Sequence, residues 1–487
     1  MNDRKIMLES RREFLRDLAI GAGGAIFLPG LTASCIGQKA ATAGIPTATG
    51  WDAVPSILAR IVAPNFRGRD FPVTRFGGAG DGRTDNTAAF RSAIAACSSA
   101  GGGRVVVPAG RFLTGPIHLA SNVNLHVTEG ATIAFSTRPA DYLPQVLTRF
   151  EGVEVMNYSP LIYAIGATNV AVTGKGTLDG QANATNWWPW KGQAPYGWKQ
   201  GQPHQGPARQ RLFDMAERGI PAAQRVFGEG DYLRPSFIQP YRCRNVLIED
   251  VKIVNSPMWE VHPVLSRNVT VRGVRIDTHG PNNDGCNPES CADVLIESCF
   301  FDTGDDCIAI KSGRNADGRR IAVPSENIIV RNCEMRDGHG GVTIGSEISG
   351  GVRNVFTEKC RMDSPNLDRA LRFKNNASRG GILEHIYMRD VTVGQVADAV
   401  LSIDFHYEEG AKGDFDPIVR DVEMRNVTSS KSQYAFYIRG LERGEISNIR
   451  IIDCTFTNVA KPSVVERVAG MRVENTRING TLLVDSR

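Results

Sequence analysis

The stretch Asn245-Val-Leu-Ile-Glu-Asp-Val-Lys-Ile253 places apolar residues two apart, at Val246 and Ile248 and again at Val251 and Ile253. The pattern returns along the second half of the chain, at intervals that run from 23 residues (245 to 268) to 36 residues (385 to 421). Its further copies begin at Asn268, Asp293, Asn327, Asn354, His385, Asp421 and Asn448. A repeat of this length with two-residue alternation predicts an all-β solenoid, in which the strands of each coil stack on the next.

The repeats also predict the environment of several of the ten cysteines. The seventh place of each copy is Val or Cys, and the cysteines at this place are Cys299, Cys333, Cys360 and Cys454. We therefore expect an inward column of core thiols instead of disulfides. For an exported chain, a bridge from Cys286 to Cys291 or to Cys307 stays open.

The N-terminus is typical of an export signal. The segment Ser10-Arg-Arg-Glu-Phe-Leu-Arg16 resembles the twin-arginine pattern, and the apolar run at 18–28 is shorter than the ~20 residues that span a bilayer. Residues 31–35 resemble a lipoprotein box ending at Cys35, although Thr32 stands where that pattern prefers Leu. Residues 1–35 are thus predicted to direct export, to the periplasm, the cell surface or the medium, and a lipid at Cys35 would be the only membrane contact.

The remaining residues divide into a short leader and one domain. Residues 36–70 are predicted to be a linker and N-terminal cap, because the apolar spacing in 52–61 indicates a short amphipathic helix suited to covering the first coil. A second helix is expected over 85–99, starting at Thr84 or Asp85. Residues 71–487 form the predicted solenoid domain, with a non-repeating insertion at 181–234. Its tryptophans predict either a local core or a sugar-stacking wall: Trp187, Trp188, Trp190 and Trp198.

The charge balance excludes one class of partner. Lys and Arg number 56 against 52 Asp and Glu, a formal net charge of +4. This is far from the strongly basic surface of nucleic-acid binders, so no nucleic-acid partner is expected. Recognition of an acidic substrate must come from local cations, and we expect the chain to act as a monomer.

Four polar clusters follow successive repeats. They are Asn282-Asn-Asp284, Gly304-Asp-Asp306, Gly338-His-Gly340 and Arg372-Phe-Lys374. Asp305 lies 12 residues after the start of its copy (305 − 293), and His339 lies 12 after the start of the next (339 − 327). Stacked coils therefore bring the two together, at about 4.8 Å per rung.

Such a cluster has a chemical use. Hydrolysis of a glycosidic bond needs one carboxylic acid that protonates the leaving oxygen and one carboxylate that attacks or activates water. Asp284, Asp305 and Asp306 can supply both. A cation site or a set of hydrogen-bonded turns is the alternative, and Gly304 would have to bend the backbone so that Asp305 and Asp306 face the same way.

In these motifs, and in Phe76-Gly-Gly-Ala-Gly-Asp-Gly-Arg-Thr-Asp85, the chain resembles glycoside hydrolase family 28, the polygalacturonases. The resemblance implies a right-handed parallel β-helix that needs no metal or cofactor and inverts the anomeric centre. It implies Asp305 as general acid, Asp284 and Asp306 as activators of water, and His339 as support for the acid. It further implies a group of substrate-binding residues: Asn282, Arg372, Lys374 and Tyr407.

The resemblance predicts hydrolysis of α-1,4-galacturonosidic bonds in pectin, with the bulky insertion favouring attack at a chain end. Asn283 and Phe373 depart from the family's usual Thr and Ile, which bears on specificity more than on chemistry. Alternatives are a rhamnogalacturonan hydrolase of the same family, a calcium-dependent pectate lyase and a non-catalytic polysaccharide-binding solenoid. A salt bridge from Arg372 or Lys374 to a site aspartate is the structural alternative to substrate binding.

Overall fold

The computed structural model describes residues 50–483, so the predicted signal segment, Cys35 and most of the linker lie outside the described residues. The described chain is a right-handed parallel β-helix with three strands per full coil. Four α-helices decorate it: α1 (Val54–Arg60), α2 (Thr87–Ser99), α3 (Gly206–Glu217) and α4 (Asn315–Ile321). Within residues 50–483 no helix is long and apolar enough to cross a membrane.

The strands form three stacked columns. The first column holds Asp70–Pro72, Gly103–Val107, Val123–Val127, Thr168–Thr173, Arg244–Glu249, Arg267–Arg272, Ala292–Glu297, Ser325–Arg331, Val352–Glu358, Ile382–Gln395, Ile418–Lys431, Glu445–Ile452 and Arg472–Glu474. The second holds Asp81–Asp85, Gly110–Thr114, Ala131–Phe135, Thr177–Asp179, Lys252–Val254, Arg275–Thr278, Phe300–Thr303, Glu334–Met335, Arg361–Met362, Thr455–Phe456 and Arg477–Ile478, with Thr481–Leu482 antiparallel to the last.

The third column carries the face that matters for function. Its strands are Ile117–His118, Ile162–Ile165 and Ile238–Tyr241, then Ile308–Ile310, Val342–Ile344, Arg369–Lys374, Ala399–Asp404, Tyr434–Arg439 and Val464–Glu466. Isolated β-bridges at Val261 and Cys286 connect the first three of these strands to the last six. An antiparallel hairpin of Val146–Phe150 and Val153–Asn157 stands outside the columns, and the sequence pattern did not predict it.

The predicted repeats stack in register. Val246 pairs with Val269, Val269 with Val294, and Val294 with Ile328. The residue that begins each copy has a left-handed backbone, with φ of 57° at Asn245 and 57° at Asn327. Asn tolerates this conformation, and its side chain also bonds to the coil before it. Asn122 and Asn169 begin two earlier coils of the same kind, which the sequence pattern missed.

The cysteines at the seventh place are buried and unpaired, as predicted, and they share the main core with the valines that hold this place in the other copies. The open question about Cys286, Cys291 and Cys307 is also answered. All three are buried free thiols in the structure. Core packing, not cross-linking, therefore holds the described coils together.

The prediction for the first helix is wrong in its position. α1 packs on the flank of the solenoid, where Val54 and Ile57 contact a cluster that contains Leu295, and Arg60 bonds to Asp293 at 2.9 Å. The second predicted helix, α2, covers the first coils through Phe90, Ile94 and Cys97, which belong to the main core. The amphipathic spacing predicted a buried face correctly but carried no information about which surface it covers.

The insertion consists of short 3-10 turns and α3, all packed against the middle of the solenoid. Trp187 is fully buried and lies 5.6 Å from the ring of Tyr142 and 4.8 Å from that of Trp190. In the described chain, the four tryptophans do not line the cavity that holds the aspartates. The local-core interpretation therefore holds for Trp187, Trp188 and Trp190, whereas Trp198 is partly exposed and packs edge-on against His204.

Candidate active site

A polar cavity of about 290 Å³ lies on the outer face of the third column. The turns that enter three successive coils supply its floor, with Asp284, Asp305, Asp306 and His339. The strand Arg369–Lys374 supplies Arg372 and Lys374, and the following coil supplies Tyr407. Asn282 also lines the cavity, so the structure brings all eight predicted site residues together.

The three aspartates converge closely. One carboxylate oxygen from each of Asp284, Asp305 and Asp306 lies within 4.8 Å of the others. These shortest separations between carboxylate oxygens lie below the roughly 6.5–9.5 Å that is usual between the carboxyl groups of inverting glycosidases. The carboxylates also form a ligand set for a divalent cation, but Lys311 and Lys374 already place positive charge beside them.

Adjacent Asp305 and Asp306 both reach the cavity because the backbone turns at Gly304. A Cβ at this position would lie 2.4 Å from the carbonyl oxygen of Gly280, so only glycine allows the two turns to pack this closely. The amide of Asp305 donates to the Asn283 carbonyl at 3.2 Å, and that of Asp306 donates to the Asp305 carboxylate at 3.0 Å. The bend expected from the sequence is thus present.

Asp305 and His339 form one hydrogen-bonded pair, with Nδ1 and Oδ1 3.0 Å apart. The bond to Asp305 raises the pKa of His339, against the effect of burial. Burial opposes ionisation of Asp305, but the bond and charge of His339 and the charge of Lys374 outweigh it and hold the pKa of Asp305 below its usual value. The pair therefore favours imidazolium and carboxylate in the free site.

Asp284 shows the opposite behaviour. Burial, together with the neighbouring charge of Asp305, raises the pKa of Asp284 well above its usual value, and Lys311 at 3.5 Å only partly compensates. The free site thus holds its proton on Asp284, while Asp305 is ionised. The roles predicted for Asp284, Asp305 and Asp306 in the reaction stay predictions, and the acid role of Asp305 requires that the shared proton moves to it when substrate binds.

Both predicted substrate cations contact Asp306. Lys374 Nζ lies 2.5 Å from Oδ2, and Arg372 Nη1 lies 3.4 Å from Oδ1, which also accepts from Thr343 at 2.9 Å. Lys374 is buried in this contact, whereas Arg372 is partly exposed to the cavity. The ring of Tyr407 lies 5.7 Å from the Arg372 guanidinium and 5.5 Å from Lys374 Nζ. Arg372 therefore keeps donors for a ligand, and Lys374 mainly neutralises Asp306.

Two cations of the insertion hold the side chain of Asn282 in place. Its Oδ1 accepts from Lys191 Nζ and from Arg234 Nη2, both at 2.8 Å. Lys191 and Arg234 belong to the insertion, so the insertion holds the turn that carries Asp284. The Asn282 amide nitrogen remains as a donor toward the cavity.

Several residues of the site escaped sequence analysis. Lys311 lies 3.5 Å from Asp284 and 3.0 Å from Glu347, so it links the two carboxylates. It directly follows the apolar strand Ile308–Ile310, where no repeat predicts a charge. Glu260 is fully buried, and its amide donates to the Asp284 carbonyl at 3.0 Å. Neither carboxylate oxygen of Glu260 has a hydrogen-bond partner in the described chain. Burial and the charge of Asp284 raise its pKa far above the usual value, so Glu260 is a neutral acid behind the site.

Three carboxylates that converge in a cavity on a parallel β-helix, with cations beside them, define a glycoside hydrolase. The model of "Glycosyl hydrolases family 28" matches residues 228–469, which contain the whole floor of the site. A second family model, "Rhamnogalacturonase A/epimerase, pectate lyase-like", matches residues 71–131.

Solved and curated proteins agree with this class. The crystal structure of a hyperthermoactive exopolygalacturonase from Thermotoga maritima is 50% identical, with a TM-score of 0.85, and the match covers 88% of this chain and 96% of that one. A probable polygalacturonase from Vitis vinifera is 29% identical over 83% of this chain and 77% of its own length. An exo-poly-alpha-D-galacturonosidase from Dickeya chrysanthemi is 28% identical over 74% of this chain and 62% of its own length. The chain belongs to glycosyl hydrolases family 28, and it is a glycosidase.

Proposed function

We propose that this glycosidase hydrolyses α-1,4-galacturonosidic bonds in pectin and that it acts at a chain end. The observation that carries the proposal is one cavity that holds three aspartates together with the cations Arg372, Lys374, Lys191 and Arg209. A polymer with a carboxylate on each sugar fits a cavity that combines catalytic acids with several cations. The exopolygalacturonase relative and the exo-poly-alpha-D-galacturonosidase relative support the same substrate and mode.

The reaction needs one protonated and one ionised carboxyl group. Asp305 gives a proton to the glycosidic oxygen, and the leaving sugar departs with that proton on its new hydroxyl. A water molecule held by Asp284 and Asp306 attacks C1 from the other face and loses its proton to the cluster, so the product has the inverted configuration. Because Lys374, Arg372 and Thr343 already occupy the oxygens of Asp306, that carboxylate is poorly placed to act as a covalent nucleophile. Proton NMR of early product tests this step, and a retained anomer contradicts it.

Chain-end attack follows from how the cavity is walled. Residues of the hairpin and the insertion contribute to its wall: Glu151, Lys191, Tyr196 and Arg209. We infer that these added segments block one end of the groove, which then admits a terminus but not the middle of a polymer. Viscosity and products of polygalacturonate digestion decide between the modes. Monomer or dimer should accumulate while viscosity persists, and an early fall in viscosity contradicts the proposal.

A rhamnogalacturonan backbone is the second candidate, because the match to rhamnogalacturonase-type enzymes covers residues 71–131. Those residues form the first coils, and the cavity is lined by residues from 151 onward. Homogalacturonan is therefore preferred, and digestion of defined oligomers of both polymers separates the candidates.

We also propose that the enzyme is a bacterial protein exported by the twin-arginine route, with its action outside the cytoplasm. The Ser10-Arg-Arg-Glu-Phe-Leu-Arg16 segment supports this proposal, and a lipid at Cys35 is its membrane-anchored form. A polymeric pectic substrate is itself extracellular, which agrees with export.

A further inference from the structure

The blocked end of the cavity carries more positive than negative charge. Lys191, Arg209 and Arg234 meet there beside the carboxylate of Glu151. Glu347 and Glu408 also line the cavity, but Glu347 pairs with Lys311 at 3.0 Å and Glu408 pairs with Arg379 at 2.7 Å. Glu151 pairs with Arg209 at 2.7 Å. Asp305, the next acid toward the floor, is already paired with His339. The two remaining cations therefore lack an ionic partner of their own.

The contacts of these cations are with neutral groups. Lys191 Nζ donates to Asn282 Oδ1 at 2.8 Å, and Arg234 donates to the same oxygen, to the carbonyls of Pro257 and Pro281 and to Gln205. Arg234 is fully buried, and burial lowers its pKa to about 10. Burial also lowers the pKa of Lys191, against the raising effect of Glu151. A buried cation without a counter-ion is costly, so this arrangement favours an anion that the cavity brings in.

The two cations that line the cavity have donors to spare. Arg209 bonds to Glu151 through Nε and Nη2, and its Nη1 makes no hydrogen bond with the described residues. Its side chain is 30% exposed. Lys191 has three donor hydrogens, one of which points to Asn282. Together they offer an arginine and a lysine to one small anionic group.

We propose that Lys191 and Arg209 bind the carboxylate of the terminal galacturonosyl residue, and so make the blocked end a subsite for an acidic sugar. The inference rests on the proposed function, because a sugar enclosed between the aspartates and the insertion is a terminal one. Arg372 then serves the sugar on the open side of the scissile bond. Methyl-esterified or neutral terminal sugars are bound poorly, since the cations stay without a counter-ion.

Binding of single sugars isolates this subsite from catalysis. The probes are D-galacturonic acid and its methyl ester, measured by calorimetry on the wild type and on Lys191→Gln and Arg209→Gln. The wild type should bind the acid at least ~10-fold more tightly than the ester, and each variant should lose most of that preference, about 1.4 kcal/mol per tenfold. Lys199→Gln and Arg218→Gln are matched controls, because both cations are exposed on the same insertion outside the cavity.

Lys191 also donates a hydrogen bond to Asn282, so a structural role of Lys191 must be distinguished from a role in binding the sugar carboxylate. Disturbing the Asn282 turn would weaken the acid and the ester equally, whereas loss of the carboxylate contact weakens only the acid. The proposal is wrong if the wild type binds neither sugar or binds both equally, or if Arg372→Gln removes the preference and the insertion variants keep it. Digestion products of polygalacturonate are scored separately, so an endo pattern would reject the chain-end mode whatever the sugars show.

Discussion

At the scale of single residues, the motifs predicted the floor of the site well, because each one ends a repeat and stacking fixes its neighbours. The spacing of the repeats alone predicted that His339 lies beside Asp305, and in the structure His339 Nδ1 and Asp305 Oδ1 are 3.0 Å apart. Lys311, Glu260 and Lys191 could not be predicted. They are isolated charges outside any repeated pattern, and only the fold brings them beside Asp284 or Asn282.

The acid cluster gives the most direct prediction. Asp305→Asn or Asp284→Asn should lower turnover by at least ~10²-fold, since each removes a group that gives or accepts a proton in the reaction. Steady-state kinetics on trigalacturonate measure the change, and circular dichroism shows whether the fold is kept. Near-normal turnover in either folded variant contradicts the assigned chemistry.

Arg372 can serve the substrate or Asp306, and the chemical form of the substrate distinguishes the two. If Arg372 binds a substrate carboxylate, Arg372→Ala should lower kcat/KM on galacturonate oligomers by roughly 10- to 100-fold, from the loss of a charged hydrogen bond worth about 1.5–3 kcal/mol. Methyl-esterified oligomers lack that charge and should be affected far less. Equal losses on acid and ester would mean that Arg372 acts through Asp306.

Glu260 should make stability depend on pH. The pKa of Glu260 is raised in the folded protein. Between the unfolded pKa of ~4.3 and this raised pKa, only the native state binds the proton, so the free energy of unfolding falls as pH rises. Glu260→Gln is neutral at every pH and removes this loss. The melting temperature of the variant relative to the wild type should therefore climb steadily from pH 5 to pH 7. A constant difference across that range would show that Glu260 is ionised in the folded protein.

At the scale of elements, the two-residue alternation predicted the stacked strands, and the first residue of each repeat predicted the turns. The coils that begin at Asn122 and Asn169 were missed because their downstream residues depart from the pattern, with a hairpin and a long insertion between them. The position of α1 could not follow from its sequence, since a helical apolar face is compatible with the end or the flank of a solenoid. Its partners Leu295 and Ile329 are apolar residues on the outside of the first column.

The asparagine at the turn can be tested by two substitutions. Asn327 has φ of 57°, donates to Asp293 at 3.3 Å and accepts from Asn354 at 3.1 Å. Asn327→Gly should lose only the hydrogen bonds, while Asn327→Ala should also strain the left-handed backbone, by about 1–2 kcal/mol more. Urea denaturation of both variants gives the difference. Equal losses would show that backbone conformation contributes nothing at this turn.

At the scale of the whole molecule, the sequence predicted one continuous solenoid with an added block, and the structure places residues of that block in the wall of the cavity. The volume and charge of the enclosed space could not be predicted, because Glu151 comes from an unpredicted hairpin and Arg209 from the first turn of α3. Substrate mode is therefore a property of tertiary packing between segments that share no repeat.

Export belongs to the same scale. If the Ser10-Arg-Arg-Glu-Phe-Leu-Arg16 segment is read by a transporter of folded proteins, replacing Arg11 and Arg12 together by Lys should keep active enzyme in the cytoplasm. Cell fractionation with an activity assay measures its distribution. Normal export of the double variant would exclude the twin-arginine route.

The nine cysteines within residues 50–483 are all buried free thiols, and they can serve as built-in probes of unfolding. They are spread from Cys97 in α2 to Cys454 near the last coils, and all are shielded from solvent in the folded chain. A thiol that is inaccessible in the native state reacts with an alkylating reagent only when its own coil opens. Pulse labelling followed by peptide mass spectrometry would thus report the order in which the coils separate, with no probe added to the protein. Because none of these nine thiols forms a disulfide, the part of the chain from residue 50 to 483 should also refold in the presence of reductant.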